Sequence, residues 1–294
     1  MYLTMLYGGL VGVALGLTGG GGSIFAVPLL LYAVGLSLRD AITVSLAVVG
    51  LTALYGAVFQ RKLVNWWPGA MLGAGGILGA PGGAWIGTRL PEFWTLLLFA
   101  GLMLVIGVQM WRGANRDETR LYKFACRRDG DGVMRFRWSC AGKLLVAGAI
   151  TGVLSGTFGV GGGFLVVPAL LLVTAMPIER ALATSLVCIA LISASGFVSN
   201  LVTVQHFAFG LAAWFLAGGA VGMTAGAKLK SRLSGRLLKR IFAVGVVGVA
   251  VWILSQTLAG REPRPTQKVA HIIPAGSAPD VDAVSMRNKT NYEN

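Results

Sequence analysis

Gly16-Leu-Thr-Gly19-Gly-Gly-Gly-Ser-Ile-Phe-Ala-Val-Pro28 in the first half of the chain returns in the second as Gly156-Thr-Phe-Gly159-Val-Gly-Gly-Gly-Phe-Leu-Val-Val-Pro168, at a constant offset of 140 residues from Pro28 to Pro168. The two copies cut the apolar stretches 3–35 and 144–176, each too long for one membrane helix. A glycine run breaks a helix, and backbone freed inside an apolar segment must be buried in protein or line a watery cavity. Two such breaks at corresponding positions are the sequence pointer to a transporter's binding site.

Composition places the rest of the chain in lipid. Of 294 residues, 55% are hydrophobic and 12% charged, and the mean hydropathy is +0.73, which leaves too little polar surface for a soluble domain. Crossing about 30 Å of hydrocarbon needs roughly 20 apolar residues. Residues 41–60, 69–88, 94–111, 181–203, 208–227 and 241–258 each supply such a run without an Asp, Glu, Lys or Arg. The expected fold is an all-α polytopic membrane protein of two homologous repeats. Each repeat has three full spans and a glycine-broken pair, either re-entrant or crossing as two half-helices. Residues 1–112 form the first repeat, 113–142 a basic cytoplasmic linker, 143–259 the second repeat, and 260–294 a flexible tail punctuated by Pro263, Pro265, Pro274 and Pro279. Met1–Leu17 lacks the basic n-region of a signal peptide and reads as retained structure.

The net charge of +14 resides in loops. One basic cluster runs from Arg112 to Lys143, the other from Lys228 to Arg240, and short basic loops stay cytoplasmic. Topology signal and headgroup contact therefore explain the charge better than nucleic-acid binding. Both clusters are inside only if the broken stretch between them contributes an even number of crossings. The halves then point oppositely through the membrane, as inverted repeats. The competing arrangement, eight spans with parallel halves, puts the second cluster outside.

The repeat extends past the glycines: Ala41-Ile-Thr-Val-Ser-Leu46 matches Ala181-Leu-Ala-Thr-Ser-Leu186, and Gly12/Gly16 match Gly152/Gly156. The doubled Gly-x-Gly-Gly-Gly-x-x-x-x-Pro pattern, the following Ala-x-x-x-Ser-Leu and the basic linker together resemble the sulfite exporter TauE/SafE family of membrane transporters, over about residues 5–258. The resemblance implies movement of a small sulfur-containing or organic anion, such as sulfite, thiosulfate, a sulfonate or sulfoacetate, across the bacterial plasma membrane. Two departures separate the copies: Ser23 stands where the second has Gly163, and Val160 where the first has Gly20.

The residues support an anion independently. A helix restarting after a break presents free N–H groups and a dipole end equivalent to about half a positive charge. Gly20, Gly21, Gly22 and Ser23 in one break and Gly161, Gly162 and Gly163 in the other are the expected amide donors. Thr18, Ser45, Thr157, Thr184 and Ser185, with Ser23, are the expected hydroxyls. Ser45 and Ser185 are repeat equivalents, whereas Thr43, Ser193 and Ser195 are expected to bond their own helix's carbonyls. Gln60 and Asn200, also equivalent, either line the mouth or reach headgroups. Most tryptophans fit an interfacial belt, with Trp85 and Trp214 deep enough to reach a pocket.

Enzyme readings fail on parts. Only His206 and His271 are available to a Ser–His device. No Lys follows the glycines as a phosphate-binding loop requires, and Asp129-Gly-Asp131-Gly132 lacks the remaining calcium ligands. Cys126 and Cys140 are expected to be reduced in a cytoplasmic loop, and Cys188 to pack within a helix. Asp40 and Glu179 read as helix N-terminal charges rather than proton carriers. The spans hold no carboxylate relay, leaving potential-driven uniport and coupling to an ion held by backbone carbonyls both open. The expected partners are a small anion and the bilayer, a homodimer being compatible with the sequence; no cofactor, metal or nucleic acid is expected. The rival classes are a non-transporting membrane scaffold and an exporter of another small solute.

Overall fold

The computed structural model describes residues 2–113, 138–174, 176–201, 209–230 and 235–258, and every element among them is helical. The first repeat contains α1 (Tyr2–Thr18), a 3-10 turn (Gly21–Phe25), a single α-turn α2 (Ala26–Pro28), a π-turn (Leu29–Val34), α3 (Leu38–Phe59), α4 (Trp66–Arg89) and α5 (Glu92–Gly113). The second contains α6 (Trp138–Phe158), α7 (Gly163–Thr174), α8 (Ile178–Leu201), α9 (Phe209–Lys230) and α10 (Gly235–Leu258). Residues 114–137 of the expected linker and the expected tail, with Cys126, Asp129, His206 and His271, lie outside the described residues.

Among the described residues four helices are long and apolar enough to cross a membrane: Leu38–Phe59, Cys140–Phe158, Glu179–Leu201 and Phe209–Leu229. Three coincide with expected spans. The fourth is the arm leading into the second glycine run. Helix α4 has 24 residues but contains Pro81 and many glycines, which dilute its hydropathy below that of its neighbours. Among the described residues α5 and α10 contribute the shorter apolar stretches Glu92–Val105 and Ala243–Thr257.

Glycine ladders set how the helices meet. Gly8, Gly12 and Gly16 of α1 face Phe215, Gly219 and Met223 of α9, and Gly75, Gly79 and Gly83 of α4 face Leu145, Ala149 and Val153 of α6. At each step a Cβ would strike the partner's carbonyl oxygen. Only glycine permits this backbone approach, which replaces the hydrophobic drive that lipid cannot supply. The packing exchanges halves: α1 of the first repeat lies on α9 of the second, and α6 of the second lies on α4 of the first.

The same contacts give direction. Residue numbers rise together along α1/α9 and α4/α6, so these pairs are parallel. Along α3/α8, Leu46 meets Gly196, Gly50 meets Ser193 and Gly56 meets Leu186, so these repeat equivalents are antiparallel. Helix α3 also runs with α9, through Thr52 at Gly219 and Gly56 at Met223, while α8 runs with α4, through Thr184 at Gly69 and Leu191 at Gly73. Thus α1, α3 and α9 share one direction and α4, α6 and α8 the other. The chain doubles back between α1 and α3, and again between α6 and α8.

Candidate functional site

Both broken stretches end their first helix in the same way. Gly19 (φ 67°) and Gly159 (φ 70°) are left-handed, and their N–H groups donate to Leu15 O and Ser155 O, each at 2.8 Å. This closes the helix with the cap that glycine adopts without strain. Each cap is then braced by the opposite repeat. Ser45 of α3 donates to Gly159 O at 2.8 Å, and Ser185 of α8 donates to Gly19 O. Carbonyls carry the negative end of a helix dipole, so these two hydroxyls occupy the groups that would repel an anion.

The restarts differ. Ser23 directs both its N–H (3.2 Å) and its hydroxyl (2.7 Å) at Gly20 O, an i→i+3 pattern that fixes a 3-10 turn. Pro28 follows, and the segment continues as a single α-turn and a π-turn. In the second copy Gly163 has no side chain to make that bond. Leu165 N and Val166 N both reach Gly162 O, at 3.0 and 3.1 Å, and a 12-residue α-helix opens directly with Pro168 inside it.

The two breaks abut. A Cβ on Gly20 would stand 2.8 Å from Gly163 O, and one on Gly163 would strike Gly20 O. Residues 19–24 and 159–163 are all buried. Ile189 packs against Gly20 and Gly161, Val49 against Gly161, Leu182 against Gly19 and Ile42 against Gly159, so the junction is closed in this conformation. Among the described residues no acceptor faces the N–H groups of Gly20, Gly21, Gly161 or Gly162. Cavities of about 420 and 330 Å³ lie elsewhere, lined almost wholly by apolar groups. One is between α5 and α10, and the other is between α1, the first restart and α10.

The expected hydroxyls divide. Thr18 accepts from Gly22 N at 3.0 Å and donates to Ala14 O at 2.6 Å; with Ser23, Ser45 and Ser185 it holds the breaks together. Thr157 donates to Gly83 O and Val153 O, and Thr184 accepts from Asn65 N at 2.9 Å; both serve contacts with α4 or the loop before it. Thr43 bonds Arg39 O in its own helix, as expected. Ser195 reaches across to Ile77 O of α4, and Ser193 is buried with no partner among the described residues. The own-helix expectation is overturned for both: Ser195 takes a carbonyl of α4 instead, and Ser193 takes none among the described residues. Asn200 bonds Gly196 O in its own helix. The other hydroxyl that sequence reasoning missed beside a break is Ser155, also buried and unpartnered.

Trp85 and Trp214 are not pocket residues. They are 60% and 37% exposed on the outer face, with the Arg89 guanidinium 4.6 Å above the Trp85 ring. The expectation treated depth along the helix as depth within the bundle. Asp40 and Glu179 occupy the first turns of α3 and α8, and Ser37 caps α3 by accepting from Asp40 N. Cys140 is disulfide-bonded. This corrects the reduced state expected from compartment alone, since spatial approach was not legible in the sequence. Cys188 is free and buried, its thiol donating to Gly69 O at 3.4 Å. Among the described residues no group of His, Cys, Asp and Glu could hold a metal.

A family model described as "Sulfite exporter TauE/SafE" matches residues 4–253. A "Probable membrane transporter protein" of Xylella fastidiosa strain Temecula1 is 37% identical over 267 residues, covering 88% of this chain and 97% of the relative. Its namesake from strain 9a5c is 36% identical over 268 residues, covering 88% and 97%. "Probable membrane transporter protein YunE" of Bacillus subtilis strain 168 is 30% identical over 244 residues, covering 77% and 88%. No solved structure matches.

Proposed function

The chain belongs to the sulfite exporter TauE/SafE family, and from that premise we propose that it carries a small sulfur-containing or organic anion, of the sulfite, thiosulfate, sulfonate or sulfoacetate class, by alternating access. Its broader role is plain: it is a multi-pass transporter of the bacterial inner membrane.

The observation that carries the anion reading is the abutment of the two glycine breaks. Their capping carbonyls are occupied by Ser45 and Ser185 while amide donors stand unused. Anions are held well by such amides and dipole ends, and a site without a fixed cation can also release its ligand. The inverted relation of the repeats is supported by the antiparallel α3/α8 ladder and by the doubling back of each broken stretch. A closed junction between two exchanged bundles fits the occluded stage of a rocking cycle. A scaffold would have no use for two opposed breaks braced across the repeats. An exporter of cations would be expected to place a carboxylate there.

Sulfite efflux from proteoliposomes tests the reading. Gly162→Ala, at matched insertion, should strain a left-handed position and push a Cβ to 2.6 Å from Thr151 Cγ2, displacing the amides of the second break and lowering flux at least about tenfold, the worth of one charge-assisted hydrogen bond; Gly21→Ala probes the first break by the same measurement. Wild-type flux in both variants would remove the breaks from the pathway.

A further inference from the structure

The two breaks share their caps and braces but not their flanks. Ser155 of α6 is 1% exposed and Ser193 of α8 is 0% exposed, and neither hydroxyl has a hydrogen-bond partner among the described residues. Both stand against the second break. A Cβ on Gly161 would lie 2.7 Å from Ser193 Oγ, and one on Gly162 would lie 3.4 Å from Ser155 Cβ. Buried polar groups are nearly always bonded, and one left unpaired costs about 1–3 kcal/mol, so two at one glycine pair call for a ligand. Their counterparts 140 residues earlier, Leu15 and Ala53, are apolar and fully buried. The helix dipoles show the same asymmetry: α7 is a continuous helix of 12 residues, whereas the first break restarts in short pieces of changing pitch.

Resting on the transport reading above, we propose that the anion sits at the second break, with Ser155 and Ser193 donating to its oxygens beside the amides of Gly161 and Gly162, and that the first break serves as the apolar, structural counterpart. Two hydroxyls flanking the start of a continuous helix suit an oxyanion with several oxygens on one centre, such as sulfite or a sulfonate.

The test is concentration-dependent sulfite flux in proteoliposomes, with sulfite-dependent thermal stabilisation of the purified protein alongside. Neither Ser155→Ala nor Ser193→Ala removes a bond present in the closed state, so both should fold. Each should raise the half-saturating sulfite concentration roughly ten- to a hundredfold, with maximal flux much less affected, and the double variant should lose sulfite-dependent stabilisation. Ser193→Cys, close in size but a weaker donor, should fall between. Thr52→Ala, removing another buried unpartnered hydroxyl that faces Gly219 instead, should leave half-saturation at the wild-type value. Wild-type half-saturation in both alanine variants of an actively transporting protein would overturn this assignment alone. Absence of saturable oxyanion flux in the wild type would overturn the transport reading and this inference with it.

Discussion

The broken stretches at Gly16–Pro28 and Gly156–Pro168 begin alike and end differently. Up to the capping glycine they are two copies of one device: a left-handed glycine, an N–H bond of 2.8 Å to the carbonyl four residues back, and a serine from the other repeat on the cap's own carbonyl. Beyond it, one residue redirects the backbone. Ser23 holds Gly20 O with two bonds and tightens the turn, while Gly163 lets α7 open at once. The shared part is structural, and the divergent part is where chemistry can be placed. Duplication supplies a symmetric frame, and a single difference within it, Ser23 against Gly163, gives the two restarts different backbones.

The shared part can be broken symmetrically. Gly19→Val and Gly159→Val each force a branched side chain into a left-handed position, and each drives a Cβ to within 2.7 Å of a main-chain atom, Leu182 Cα or Ile42 Cα. Conformational strain of about 1–2 kcal/mol adds to overpacking of about 1–3 kcal/mol. Both variants should show a similar, large loss of thermal stability in detergent, and a strong inequality would mean the two caps are not equivalent. The serine braces come next in size. Ser45→Ala and Ser185→Ala each leave a buried carbonyl without its cross-repeat donor and should cost about 1–3 kcal/mol, nearly equally, by denaturant titration. If one proves silent, the bracing is one-sided.

Much of the frame was legible because it repeats. The constant offset, the paired Ser45 and Ser185, and the small residues of α1, α4, α6 and α9 all stand out when the chain is laid on itself. Their exchange between halves was not, since which helix a glycine faces is settled by packing far apart in sequence. The same filter hid Ser155 and consigned Ser193 to its own helix's carbonyls. Opposite Leu15 and Ala53 they do not recur, so a search for conserved positions between repeats passes over them, and the hydroxyls it promoted turn out to hold backbone carbonyls. Trp85 and Trp214 failed for another reason: position along a span says nothing about which side faces lipid, and the packing turns both outward. The irregular restart after Gly20 was signalled only by Ser23 in place of glycine, a difference whose backbone consequence needs the bond to Gly20 O to be seen.

The claim at the centre is that the abutting breaks form an anion seat. The most direct measurement is uptake of labelled sulfite into proteoliposomes carrying the purified wild-type chain, across a range of sulfite concentrations and in competition with thiosulfate, sulfoacetate and a cation such as choline. An anion seat gives saturable uptake that other small oxyanions suppress and choline does not. Uptake that never saturates, or that only the cation suppresses, would contradict it.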